Sequence, residues 1–313
     1  VVEHDVPFQE GITYIRVKEA RLALALLSCA FFEHPSRQMT VIGITGTKGK
    51  TTTSYMMESI LEKANKKVGI IGTIGSIVNG EFQKTKNTTP ESFELQRLMR
   101  QMVECGCEYC VMEVSSQGLM LNRVAGIDFD YGVFTNLSPD HIGEHEHHSF
   151  EHYMACKKML FQMCKVGIFN RDDEHYEDMI KGAKCDIKTY SLHQQSDLKA
   201  SQIHLSQGTG TLGVSFQTSG LIDANFETDI PGHFSVYNSL VAIILCHLLG
   251  IETNYIKEAL KKVRVRGRVE IVPVGQKYTV MIDYAHNALS FESILQTIMD
   301  YQPHRILCVY GAG

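Results

Sequence analysis

The 313-residue sequence has no excess of basic charge, no long apolar run, no leader-like opening and no internal repeat or low-complexity tract. Thirty Lys and Arg against 35 Asp and Glu leave a formal net charge of -5. That excludes an overall basic footprint for nucleic acid, although a local patch stays open. The longest apolar stretch, Leu22 to Phe32, falls short of the roughly 20 residues that cross a bilayer, so no membrane span is expected. Glu3, Asp5 and Glu10 follow Val1 at the start, whereas a secretory signal opens basic and then turns apolar. The expectation is a piece of a longer protein. The nine cysteines are odd in number and scattered, which suits a reducing compartment better than a disulfide framework. Cys105, Cys107 and Cys110 have no second Cys pair or close His at zinc-finger spacing and precede apolar Val111 to Val114. They read as small buried hydrophobes at a strand edge.

What is present is an ordinary globular composition, 44% apolar and 21% charged, at a length that suggests about two domains. A short strand and a helix, Ala20 to Phe32, are expected before Pro35. From Met39 strand-like runs alternate with helical spacing: Val41 to Thr45, Thr51 to Ala64, Val68 to Gly72, Ser92 to Cys105, Tyr109 to Ser116, Tyr131 to Leu137, then Phe150 to Met163. Such alternation implies crossover units and a mostly parallel sheet. After Gly167 short β-type runs (IFN, IKTY, SQIHL, TLGVSF, ANFETDI) suggest a small antiparallel extension, and two helices, Phe234 to Leu249 and Tyr255 to Val263, follow. YTVMIDYAH, a helix near Leu289 to Asp300, and RILCVYGAG restart the alternation as the opening of a further nucleotide-fold domain. The fold class is therefore α/β.

The strongest local signal is GITGTKGKTTT, Gly43 to Thr53. A buried strand runs into Gly43, Gly46 and Gly49, then Lys50, then hydroxyls that open a helix. Glycines let backbone N–H groups approach phosphate oxygens, and the helix N-terminus adds its positive end. Lys50 would neutralise the β and γ phosphates and Thr51 would offer its hydroxyl to Mg²⁺. The common phosphate loop has its first Gly where this chain has Ile44, so the glycine register is shifted. ATP binding is expected.

GTKGKTTT in this register resembles the Mur ligases, a family of ATP-dependent amide-forming enzymes. NTTPES (Asn87 to Ser92), MEVSSQGL (Met112 to Leu119), Arg123, FTNLSPDH (Phe134 to His141) and HYMACKKMLF (His152 to Phe161) follow in family order. GHFSVYNSLVAI (Gly232 to Ile243), RGRVE (Arg266 to Glu270) and IDYAHN (Ile282 to Asn287) continue it to the chain end. NTTPES with MEVSS looks most like the branch that adds the third amino acid to the peptidoglycan stem peptide. The resemblance implies the tail of an N-terminal UDP-binding domain at 1–37, a central ATP-binding domain at 38–270, and the start of a C-terminal Rossmann-like domain at 271–313.

It also implies the chemistry. ATP phosphorylates the terminal carboxylate of UDP-MurNAc-L-Ala-D-Glu, and the amino group of the incoming residue attacks the acyl phosphate. Bringing two anions together calls for cations and fixed dipoles more than for a protein nucleophile. ATP would be held by Gly46, Thr47, Gly49, Lys50, Thr51 and Thr52, with Asn238, Arg268 and Asp283 at base, phosphate and ribose. Mg²⁺ would take Thr51, Glu113 and His141, with Lys157 as a CO₂-derived carbamate serving a second Mg²⁺. Lys158, its neighbour, is chemically indistinguishable in isolation. Glu113, flanked by Val111, Met112 and Val114, would be costly if buried without a partner. Thr88, Thr89, Ser115 and Arg123 would contact the UDP-muramyl peptide, Arg123 through its bidentate fork. Leu121 stands where some members carry a substrate-binding Gln, Ser235 replaces a frequent Asn, and Lys48 replaces the usual loop Asn. A monomer in the cytoplasm, with neither nucleic-acid nor membrane partner, completes the implied picture.

His141 to His152 (HIGEHEHHSFEH) carries five of the 14 histidines with Glu144, Glu146 and Glu151. It reads as a polar surface loop or as a separate Zn²⁺ site of imidazole and carboxylate ligands. A folylpolyglutamate- or cyanophycin-type ligase and a non-catalytic nucleotide-binding module are the competing readings; NTTPES favours the muramyl substrate. The 313 residues alone are expected not to complete ligation.

Overall fold

The computed structural model describes residues 1–311 apart from 141, 144, 145, 209, 273, 274, 276 and 277, and the side chain of Leu289 is also outside the description. Its elements in chain order are α1 (Ala20–Phe31), β1 (Thr40–Thr45), α2 (Lys50–Lys63), β2 (Val68–Ile71), β3 (Ser76–Val78), β4 (Glu81–Gln83), α3 (Ser92–Glu104) and β5 (Tyr109–Glu113). α4 (Ser116–Met120), β6 (Phe129–Phe134), α5 (Phe150–Lys158), β7 (Cys164–Asn170), α6 (Tyr176–Ile180), β8 (Asp186–Ser191), β9 (Leu198–Gly208), β10 (Thr211–Gly220) and β11 (Ala224–Thr228) follow. The chain then forms α7 (His233–Leu248), α8 (Thr253–Lys262), β12 (Glu270–Ile271), β13 (Met281–Ile282) and α9 (Ala288–Met299).

One 11-stranded sheet in the order β11-β10-β9-β8-β7-β6-β1-β5-β2-β3-β4 organises the molecule. Strands β2 through β9 of that order pair in parallel, and antiparallel pairs flank them at both edges. The expected antiparallel extension is present but begins later than the sequence suggested. IFN and IKTY lie in β7 and β8, which are parallel, and on this edge the antiparallel pairings are β9 with β10 and β10 with β11. The second edge, the β3–β4 hairpin, was not anticipated. Its turn is Asn79-Gly80, both at positive φ (52° and 78°), the backbone a tight hairpin asks for.

Alternation along the central strands splits the core into two layers. Ile42, Ile44, Val111 and Val133 face one side, where Met56, Met57, Ile60 and Leu61 of α2 pack with Val236, Leu240 and Ile244 of α7. Val41, Cys110, Met112 and Phe134 face the other, against Leu95, Leu98, Met99 and Met102 of α3. Each such side chain removed from water contributes about 1.5–3 kcal/mol, which is how a helix opening Lys-Thr-Thr-Thr holds despite weak propensity. Apolar on all sides, α7 is sandwiched as such a helix must be, and Gly250 (φ 75°) ends it. Cys107 and Cys110 are buried in the α3 layer and Cys105 is half-buried; all nine cysteines are free.

Two expected strands are absent. The residues between 11 and 19 form only a bridge, Val2 to Arg16. Arg305 to Tyr310 has no strand pairing among the described residues, and Leu307, Val309 and Tyr310 are exposed. An extended segment becomes a strand only with a partner for its backbone groups. No helix among the described residues is long and apolar enough to cross a membrane.

Candidate active site

The C-terminal ends of β1, β5 and β6 meet in one crevice, as parallel strands of this topology require. A pocket of about 690 Å³ opens there. The phosphate loop runs from β1 into α2 between two glycines of positive φ. A Cβ on Gly46 (φ 147°) would collide with Thr135 Oγ1, and one on Gly49 (φ 88°) would lie 2.6 Å from Asn238 Oδ1. The loop is clamped by the two residues that follow β6. Thr47 N donates to Asn136 O and Lys48 N to Asn136 Oδ1, both at 2.9 Å, while Asn136 Nδ2 and Thr135 Oγ1 donate to Lys48 O at 3.0 and 2.7 Å. Two loop amides are therefore taken by protein, and the open donors are those of the first turn of α2.

Lys50 Nζ donates to Gly46 O (2.8 Å) and Thr47 O (3.0 Å). Burial pushes its ammonium below the ordinary lysine value, offset in part by Glu113 and Asp140. Glu113 is 1% exposed. It accepts from Thr51 Oγ1, Thr73 N and Thr73 Oγ1, all at 2.9 Å, so the desolvated carboxylate is matched by three donors. Thr88 Oγ1 lies 3.1 Å from Thr73 Oγ1.

Lys157 is 2% exposed and donates to Gly46 O at 2.9 Å, with its Nζ 4.5 Å over the Tyr153 ring. Burial, then the charge of Lys50, lowers its pKa well below the usual lysine value. Lys158 is half-buried and does not reach the pocket. Burial thus sets Lys157 apart from Lys158, two lysines that are alike as residues in isolation.

Thr52, Ser115, Asn238, Arg268 and Asp283 also line the pocket. Arg268 stacks on Tyr284 (4.9 Å), and Asp283 accepts from Val269 N (2.9 Å) and Ala285 N (2.8 Å). Thr89 and Arg123 do not line it. Thr89 Oγ1 donates to Glu113 O and accepts from Ser115 N. Arg123 is buried, with Nη2 on Oε1 of Glu91, the Glu of NTTPES (2.8 Å), and Nη1 on Thr89 O (3.2 Å), while its buried Nε has no hydrogen-bond partner among the described residues. His141 lies outside the described residues. Sequence reasoning missed Thr73, Asn136 and Tyr153. The i, i+4 spacing of Tyr153 and Lys157 on a helix was the available signal for the last.

Residues 44–246 match the Mur ligase middle domain, and residues 267–313 match the Mur ligase glutamate ligase domain. The chain belongs to the Mur ligase family. It is 40% identical over its whole length to UDP-N-acetylmuramoyl-L-alanyl-D-glutamate--2,6-diaminopimelate ligase of Clostridium perfringens, strain 13. It is 41% identical, again over its whole length, to the ligase of the same name from Caldanaerobacter subterraneus subsp. tengcongensis. This Mur ligase chain spans 65% and 64% of the lengths of those two curated relatives. A solved structure of a ligase with that name superposes with a TM-score of 0.76 at 25% identity, covering 93% of this chain and 60% of the other.

Proposed function

We propose that this Mur ligase joins a third amino acid to UDP-MurNAc-L-Ala-D-Glu through an acyl phosphate, with consumption of ATP, in peptidoglycan synthesis. The names of its relatives support this muramyl substrate over the folate and cyanophycin alternatives, and they support 2,6-diaminopimelate as the acceptor to test first. The observation that carries the reading is the convergence of Lys50 and Lys157 on the Gly46 carbonyl, beside the bonded pair Thr51–Glu113, in one pocket.

The chemistry follows from those groups. The first turn of α2 and Lys50 bind and orient the triphosphate. An oxygen of the substrate carboxylate attacks the γ-phosphorus as its bond to ADP breaks. The acceptor amine then attacks the acyl carbon, loses its proton, and inorganic phosphate leaves. Lys50 and the loop dipoles balance the negative charge that accumulates, so the largest contribution expected is electrostatic. Thr51 and Glu113, a hard-oxygen pair already within 2.9 Å of one another, fit Mg²⁺; His141 belongs to the same reading. Magnesium, when bound, neutralises phosphate charge as a Lewis acid.

A buried lysine with a depressed pKa offers the free amine that CO₂ requires. Lys157 gains a carboxylate by forming an N–C bond to CO₂ with release of one proton, and becomes an oxygen ligand for a second cation. Thr88 and Ser115 would face the muramyl peptide, and Asn238, Arg268 and Asp283 the nucleotide. The family matches at 44–246 and 267–313 support a central domain near 38–270 and a C-terminal start at 271–313, and a UDP-binding tail at 1–37 goes with that reading. A cytoplasmic monomer goes with this reading.

In the full-length enzyme, wild type should make tripeptide from UDP-MurNAc-dipeptide, ATP and 2,6-diaminopimelate. Lys157→Ala should lose ligation, retain nucleotide binding, and recover partly with added acetate. No product from wild type overturns the substrate assignment. Full activity in the untreated variant removes the carbamate.

A further inference from the structure

We propose that His147, His152 and Cys156 form a binding site for one thiophilic transition-metal ion, zinc above all, apart from the Mg²⁺ positions of the pocket. One ligand atom from each residue lies within 4.8 Å of the other two. His152 and Cys156 are i, i+4 on α5 and so share a face, while His147 comes from the loop before the helix. His147 and Cys156 are buried and His152 half-buried. His147 Nε2 meets Ser116 Oγ at 2.8 Å, the kind of outer contact that fixes ring orientation in metal-binding histidines. Nδ1 of His152 is buried with no hydrogen-bond partner among the described residues, a cost that a ligand bond would remove.

Zinc needs N and S ligands at about 2.0–2.1 and 2.3 Å, so the three atoms have only to draw together by small rotamer changes, and water completes a tetrahedron. A thiolate with two imidazoles disfavours Mg²⁺, which takes oxygen. The third ligand is thus a cysteine, where imidazole and carboxylate were expected from the sequence. Binding takes Cys156 as the thiolate and releases its proton to solvent. Lys157 is the next residue, so the bound ion would tie the loop to the backbone that carries the pocket lysine.

The chelator-treated chain is titrated with Zn²⁺ and, separately, Co²⁺. One equivalent of zinc retained after gel filtration, and a thiolate-to-cobalt charge-transfer band, are expected. Cys156→Ser and His152→Ala should each weaken zinc by about tenfold or more, and Cys308→Ser should not. A cobalt complex of the unaltered chain without the charge-transfer band overturns the proposal, whatever the variants do. Equal zinc affinity in Cys156→Ser overturns it as well.

Discussion

The wall carrying Lys50, Glu113 and Lys157 and the wall carrying Arg268 and Asp283 face one another across the pocket, but they are held in different ways. The first grows from β1, β5 and α5 and is fixed by buried hydrogen bonds, with Thr51 only 5% exposed. The second rests on two strands of two residues each, and Tyr284, the platform for Arg268, is 58% exposed. Rigid support belongs where charge must be held without rearrangement. Sparse burial belongs where a wall opens at low free-energy cost, as nucleotide entry and product release under the proposed function would require.

Three changes test that contrast. The largest effect is expected from Lys50→Ala, which removes a cation with two fixed contacts. Mg-ATP affinity measured by calorimetry should fall more than about 100-fold with the circular dichroism spectrum unchanged; unaltered affinity would take the phosphate loop out of the nucleotide site. Arg268→Ala should cost less, about tenfold in affinity, and leave Tm where it was, since the Tyr284 ring on which Arg268 stacks is exposed. A fall of several degrees in its Tm would show the second wall to be as firmly built as the first.

The smallest effect concerns Glu58 on α2, whose carboxyl is pushed up to about 7 by burial and then by Glu62. Folding therefore favours its protonated form. The benefit is full below the ordinary value of 4.5 and is lost as pH rises through 7. Glu58→Gln should gain about 1 kcal/mol at pH 8, with no gain at pH 4 in denaturant titrations. An equal gain at both pH values would exclude titration as its cause.

Much of the sheet wall was legible because strand, glycine turn, Lys-Thr and helix follow one another locally, and because the helix period of α3 is strong. Glu113 was found through its cost if left alone; its partner Thr73 was not, because that bond joins the ends of two strands 40 residues apart. Asn79-Gly80 announced the β3–β4 hairpin in plain sequence and was passed over between longer elements. RILCVYG carries strand composition, yet composition cannot supply the neighbour that a strand needs. Arg123 has the fork for a substrate anion, and in the fold one nitrogen of that fork, Nη2, meets Glu91, which is distant in sequence. Nothing in the spacing around Cys156 sets it apart; its place beside His147 and His152 comes from the fold.

The central place of β1 in the sheet has a consequence in time. Thr45 bonds to a residue 90 positions later, and both neighbours of β1, β5 and β6, are made after it. At about 5–20 residues per second on the ribosome, Val41 to Thr45 must wait about ten seconds, apolar and unpaired, before the strands that flank it exist. The phosphate loop, anchored by Asn136 just after β6, can take shape only after that wait, so its assembly reports the arrival of both neighbours of β1 during synthesis.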